Sequence, residues 1–309
     1  MSRGSDELYA TTRLPTEQRN PRTVGIDHAS TLDTLALLNA EDATVANAVA
    51  QVLPALAQVV DLAEERVRSG GRVHYFGAGT SGRLAVLDAA ELLPTFNLNT
   101  DTVVAHHAGG PAALVGAVEN IEDSAQAGHD DAESLTAADL AIGLAASGRT
   151  PYVGGALRAA RERGAATSLM TSNPNAPLAQ WADVVVAPDT GPEAIAGSTR
   201  LKAGTAQKFM LNGFSTALMV RLGRTYSNFM VDVVATNEKL RRRTVAILVE
   251  ASGAPLADAH DALAATEGEL KPALVVLLTG TDAASARQAL ADSGGVVARA
   301  VAASASSPS

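Results

Sequence analysis

Residues 72–96 read RVHYFGAGTSGRLAVLDAAELLPTF, and the reading of this stretch decides the fold. VHYF is a short apolar run, GAGTSG a loop of small residues, and LAVLDAAELL an apolar helical pattern. A strand that passes into a helix through glycines and hydroxyls is the first half of a βαβ unit. The pattern recurs downstream. TVVA closes in HHAGG (106–110), LAIGLA in ASGRTP (146–151), ATSLMT in SNPN (172–175) and DVVVA in PDTGPE (188–193). Helical patterns lie between most of these runs, including 111–127 and 151–163. Such alternation predicts an α/β fold with a parallel sheet flanked by helices. Ligands of such sheets sit beyond the carboxyl ends of the strands, where these loops fall.

Working outward, Pro15 and Pro21 break the polar N-terminal stretch into an extended segment. A helix is expected after Asp42, carried by Val45, Val49, Leu56, Val59, Val60, Ala63 and Val67 at spacings of three and four. Pro54 should kink it, and SGG at 69–71 should end it. A long helix is expected over Thr199–Arg221, with Met210, Leu211, Phe214 and Leu218 on one face. From 240 onward the chain reads as helices around an apolar ALVVLLTG, with another starting near Asp282 and a disordered tail, SASSPS. The expected organisation is an N-terminal segment (1–45), an α/β domain (46–240) and a C-terminal helical region (241–309).

At 309 residues and 47% hydrophobic, the chain has ample material for a core, built from Ala, Val and Leu because aromatics are only 3%. The formal charge of −9 argues against nucleic acid and anionic membranes as partners. No apolar run approaches the ~20 residues of a membrane span, and the first 21 residues lack the apolar stretch of a signal peptide. Cysteine is absent, which excludes disulfide and thiolate chemistry. These features predict a cytoplasmic protein.

Two loops match in kind: GTSGR (79–83) and ASGRT (146–150). Each sets Ser or Thr beside Gly where a strand turns into a helix. Glycine lets the backbone approach an anion, and a helix N-terminus adds about half a positive charge. Gly79, Thr80 and Ser81 from the first loop, with Ser147, Gly148 and Thr150 from the second, are therefore the candidate phosphate cradle. Arg83 and Arg149 stand beside them; Lys202 and Lys208 are more distant candidates for an anionic group. Neither loop has GK[ST], so a nucleoside triphosphate is not indicated. The competing reading is a pair of tight turns rich in small residues. Two such loops at the ends of strands favour phosphate. His106 and His107 would point to opposite faces of an extended segment, which suits no metal, and no HExxH or Cys cluster exists. Neither metal nor cofactor is expected.

The motifs TEQRNPRTVGID, GAGTSGRLAVLDAAELLPTF, VENIEDS, AASGRTPYV, GPEAIAGSTRLKAGTAQK and NFMVDVVATNEKL, in that order over about residues 16–240, resemble those of the N-acetylmuramic acid 6-phosphate etherases. The resemblance implies a sugar isomerase (SIS) domain with a flavodoxin-like sheet. It also implies a homodimer with the active site near the subunit interface, and a sugar phosphate substrate recovered from peptidoglycan. Glu91 and Glu122 stand at the family's two catalytic positions, Glu91 as acid toward the lactyl oxygen and Glu122 as base at C2. Glu91 lies among Ala, Leu and Pro, an apolar setting suited to an acid that keeps its proton. Glu122 is expected on one helix with Glu119 and Asp123, and only the resemblance selects it. Glu193 and Ser198, in GPEAIAGSTR, are candidate substrate contacts. A similar stretch in SIS-domain ketose–aldose isomerases carries the catalytic base, whereas the plainer reading of Glu193 is a charge favouring the helix that follows. The sequence departs from the family in the two histidines of AHHAGG and in Leu92 and Leu93. The rival readings are a sugar-phosphate isomerase using Glu193, and a non-catalytic sugar-phosphate regulator like the glucokinase regulatory protein.

Overall fold

The computed structural model describes residues 15–116, 118, 120–233 and 238–305. The described residues form two compact units, the first up to residue 89 with 100–215, the second 90–99 with those from 216 onward. Asn237 of the ATNEKL motif, Glu119 and the last four residues lie outside the described residues.

In the first unit, helices α1 (Thr31–Asp42), α2 (Val45–Ala50) and α3 (Leu53–Arg68) precede the sheet. The expected single helix from Asp42 is therefore divided. Asp42 ends α1, and Ser30 caps its start, the serine side chain accepting from Asp33 N. Pro54 sits in the first turn of α3, where its missing N–H costs nothing. The α1–α2 stretch and α3 meet at a 61° bend. No single helix is long and apolar enough to cross a membrane.

Strand β1 (Val73–Gly77) leads into α4 (Gly79–Phe96), followed by β2 (Val103–His107), α5 (Ala112–Val115), α6 (Ala125–Asp131), β3 (Leu140–Leu144), α7 (Pro151–Glu162), β4 (Ala166–Met170), β5 (Val184–Val186) and α8 (Lys202–Arg221). The five strands are all parallel, in the order β2-β1-β3-β4-β5. This is the flavodoxin-like order, as expected. The order reverses between β1 and β3, so the loops that leave those two strands are neighbours. Every residue of β1, β3 and β4 is buried, because helices cover both faces of the middle strands. Along β1 the faces alternate. Phe76 joins the core formed with Val153, Ala156 and Leu157 of α7, while Tyr75 meets Phe214 of α8 edge-on at 6.1 Å.

The expected helix over 111–127 is absent as one element. Gly116 leaves α5 in an extended conformation and Asn120 has φ +61°, so the chain turns before α6 begins. Gly128 of α6 and Gly155 of α7 then allow an unusually close crossing. A Cβ on Gly128 would lie 1.8 Å from Tyr152 O, and one on Gly155 would lie 1.9 Å from Ala125 O. This crossing presses the turn that precedes α6 onto the start of α7.

The second unit adds a two-stranded antiparallel hairpin, β6 (Thr225–Tyr226) with β7 (Phe229–Met230). Five helices follow: α9 (Glu238–Ser252), α10 (Leu256–Ala265), α11 (Leu270–Thr279), α12 (Ala283–Asp292) and α13 (Val297–Ala305). ALVVLLTG is the body of α11, closed by Gly280 in the left-handed conformation, and Asp282 caps α12 through Ser285 N. Leu248, Ala259, Leu274, Leu290 and Val297 meet in the core of this unit.

Candidate active site

At the carboxyl ends of β1 and β3 a cleft of about 560 Å³ is lined by Gly79, Thr80, Ser81, Glu122, Asp123, Ser147, Arg149 and Thr150, with Glu17, Gly197 and Thr199 from neighbouring segments. Both candidate phosphate loops thus share one concavity. Two helices aim their N-termini at it, α4 from Gly79 and α7 from Pro151, and each brings a partial positive charge. Thr150 makes no side-chain cap on α7. Ser147 Oγ accepts from Arg149 N at 3.2 Å, which curls the second loop. Gly148, at φ +65°, is buried behind it. Ser147 O accepts from Asn173 Nδ2 at 2.9 Å, and Ala146 O from Ser172 N at 3.0 Å, so the β4 loop braces the β3 loop.

Glu122 reaches this wall from the turn before α6, not from a helix. Its carbonyl accepts from Tyr152 N at 3.0 Å, which ties the residue to the start of α7. The same side chain borders a second concavity of about 380 Å³ with Gly79, Arg83, His107, Ala113 and Gly116. Arg83 faces that space, but its guanidinium donates to the carbonyls of Ala113, Leu114 and Gly116 at 2.8–3.1 Å. Its role is to hold the 113–116 strip.

The histidines separate as alternation requires. His106 stacks on Phe76 at 4.5 Å and shares a hydrogen bond of 3.0 Å with His74 on one face. His107, on the other, donates from Nδ1 to Ala108 O at 2.8 Å and lies 3.3 Å from Gly79 O through Nε2. It braces the first glycine–hydroxyl loop. Among the described residues no three His, Cys, Asp or Glu gather as metal ligands.

Three expectations change. Glu193 does not line the cleft. It is fully buried, and its carboxylate accepts from Lys202 N at 2.8 Å and Ala203 N at 2.9 Å, the first N–H groups of α8. The plainer helix-charge reading is the geometry found, and burial pushes its pKa upward against those bonds. Ser198 lies in the same connection and is half-buried, but Gly197 and Thr199, not Ser198, reach the cleft wall. Lys202 is 1% exposed, bonded to Glu41 Oε2 at 2.7 Å, and does not line the cleft. Arg22 completes that cluster at 2.5 and 2.7 Å from Glu41, whose pKa it holds down at about 2.

Glu91 is exposed. On α4 the positions Asp88, Leu92 and Phe96 take the buried side, and a residue one step before Leu92 is turned about 100° away from it. Apolar neighbours in sequence therefore did not bury it: Leu87 and Leu93 are themselves 44% and 46% exposed. Residue types alone carried no signal for Glu17, which comes from the TEQRNP motif. Its segment is pinned by Asn20 Nδ2 donating to Pro192 O and Gly197 N donating to Thr16 O.

The sheet order and this cleft define a protein of the SIS-domain class. The SIS domain model matches residues 114–217, and the model for the glucokinase regulatory protein N-terminal SIS domain matches 55–161. A solved phosphoheptose isomerase from Neisseria gonorrhoeae superposes with a TM-score of 0.50 at 18% identity, over 61% of this chain and 98% of that one, which bears on the fold alone. Within the class, the chain belongs to the N-acetylmuramic acid 6-phosphate etherase family. It is 62% identical over 267 residues to the etherase of Thermobifida fusca (strain YX), covering 86% of this chain and 88% of that one. It is 53% identical over 279 residues to that of Serratia proteamaculans (strain 568), covering 90% and 94%.

Proposed function

We propose that this chain cleaves the ether joining D-lactate to C3 of N-acetylmuramic acid 6-phosphate, leaving N-acetylglucosamine 6-phosphate. An alkyl ether resists direct hydrolysis because an alkoxide leaves poorly. The opened sugar circumvents this: its C1 aldehyde acidifies the C2 proton. Glu122 takes that proton, the C3–O bond breaks with its electron pair moving to the oxygen, and a proton from Glu91 completes D-lactate. The C2=C3 bond so formed is conjugated with the aldehyde. Water then adds its hydroxyl at C3 and its proton at C2.

The observation that carries this reading is the cleft in which Glu122 shares a wall with Gly79–Ser81 and with Ser147, Arg149 and Thr150. A phosphate held at two helix N-termini fixes the sugar's far end, so the carboxylate meets one carbon rather than several. The role of Glu91 rests on the family motif. A homodimer that covers the apolar strip of α4 around Glu91, including Leu87 and Leu93, would supply the dry setting its acid role needs. The cytoplasm is the proposed place of action, as for the family.

The test is D-lactate release from N-acetylmuramic acid 6-phosphate. Glu122→Gln should lower kcat by about 10²–10⁴-fold with little change in KM. Wild-type turnover with an unaffected Glu122→Gln variant would remove the assignment of the base.

A further inference from the structure

Helix α8 backs the first phosphate loop with one of its faces. A Cβ on Gly204 would lie 3.6 Å from Thr80 Cγ2. Three residues on, and so on the same side of the helix, Gln207 Oε1 accepts from Ser81 Oγ at 2.9 Å. Gln207 is 1% exposed and Ser81 8% exposed. In this orientation the serine proton points at the amide, and only lone pairs of Ser81 Oγ face the cleft. Lone pairs repel a phosphate dianion. Gln207 Nε2 is at the same time buried without a hydrogen-bond partner among the described residues.

A half-turn of the amide removes both faults. Nε2 then donates to Ser81 Oγ, and the hydroxyl proton is released toward the cleft. The amide oxygen becomes the unpaired group, and an under-satisfied carbonyl is a more tolerable orphan than an N–H. A primary amide suits this role because it offers a donor and an acceptor at equal reach and carries no charge.

We propose that Gln207 is a positioning residue of the phosphate cleft: by donating to Ser81 Oγ it aims the Ser81 proton at the phosphate ester. This rests on the reading above that the cleft of Ser81 and Ser147 takes the phosphate. Gln207→Glu keeps the shape and, assayed at a pH where its carboxylate is ionised, accepts only, which holds the serine proton off the ligand. It should raise KM for the sugar phosphate, and the inhibition constant of inorganic phosphate, by about tenfold or more with kcat within about threefold.

A double-mutant cycle separates this from simple charge repulsion. In a Ser81→Ala background, itself about tenfold weaker for phosphate, the further loss on Gln207→Glu should shrink to about twofold. An undiminished loss there, or no loss in either background, would overturn the role of Gln207 and leave the cleft reading standing. Unchanged phosphate affinity in Ser81→Ala alone would instead remove the cleft reading. If the glutamate variant fails to fold, phosphate titration of the ¹⁵N-labelled wild type decides. The Gln207 side-chain amide resonances should move saturably, and saturable binding that leaves them still would refute the proposal.

Discussion

Glu193 and Lys202 show how strongly environment decides what a charged residue does. The Glu193 carboxylate meets two orphan N–H groups at the start of α8, and those donors have no other partner in the first turn of the helix. Its removal should therefore act on stability before it acts on chemistry. Glu193→Ala is expected to lower unfolding free energy by about 2 kcal/mol, within the usual range for losing a cap and exposing buried donors. Glu193→Gln, which keeps an acceptor oxygen, should lose less. Urea unfolding of both variants beside lactate kinetics checks this, and a large loss of kcat at unchanged stability would return Glu193 to the chemistry. The choice between base, ligand contact and helix cap was not legible in GPEAIAGSTR, because all three need an acidic residue before a helix. Glu91 and Glu122 were legible only through the motif. One lies on an exposed helix position and the other in a turn, and neither fact follows from the residues beside it.

At the scale of elements, the proposed phosphate cradle depends on two strand-to-helix turns that tolerate side chains differently. Gly148 has φ +65°, and a Cβ there would approach Ala176 Cβ to 2.3 Å. Gly79 has φ +54° but nothing within 4 Å of its missing Cβ. Gly148→Ala should thus suffer both backbone strain and a displaced loop, and raise KM for the sugar phosphate by about tenfold or more. Gly79→Ala should suffer the strain alone, about 1 kcal/mol, which thermal unfolding would register. The strands and most of the helices were readable from apolar periodicity and glycine punctuation. Where the reading failed, at 42–54 and 111–127, the apolar spacing continued through a break. Periodicity senses which side of a helix faces the core, and two successive helices with the same core side look like one.

For the whole molecule, acid should be the effective denaturant. Burial holds His74 down at about 4, against an unfolded value near 6.5, so the unfolded chain takes up this proton first. Stability is complete above pH about 6.5 and should fall as pH drops through about 4. Glu41, held at about 2 by Arg22 and Lys202, adds a second loss between about 4.5 and 2. Asp88 and Glu193 act the other way, since burial raises their pKa and the folded state accepts their protons more readily. Each depressed group is worth on the order of 3 kcal/mol. Unfolding free energies at pH 7, 5 and 3 should therefore decline in two stages. Glu41→Gln should abolish the second stage, and should also lower stability at pH 7 because the buried Lys202 ammonium loses its counter-charge.

Sequence by itself determined the alternating strand and helix order, the two glycine–hydroxyl loops and the family, because each depends on local composition or on motifs contiguous in the chain. Tertiary structure alone decided that β1 and β3 are neighbours, which merges two separate loops into one cleft. It also decided that Glu122 joins that cleft, that Glu193 and Lys202 leave it, and that Gln207 stands behind Ser81. Those outcomes turn on which buried polar group finds which partner, across separations such as the 126 residues between Ser81 and Gln207 and the 161 between Glu41 and Lys202. Burial makes each unpaired group costly, and only the folded chain shows where the pairs close.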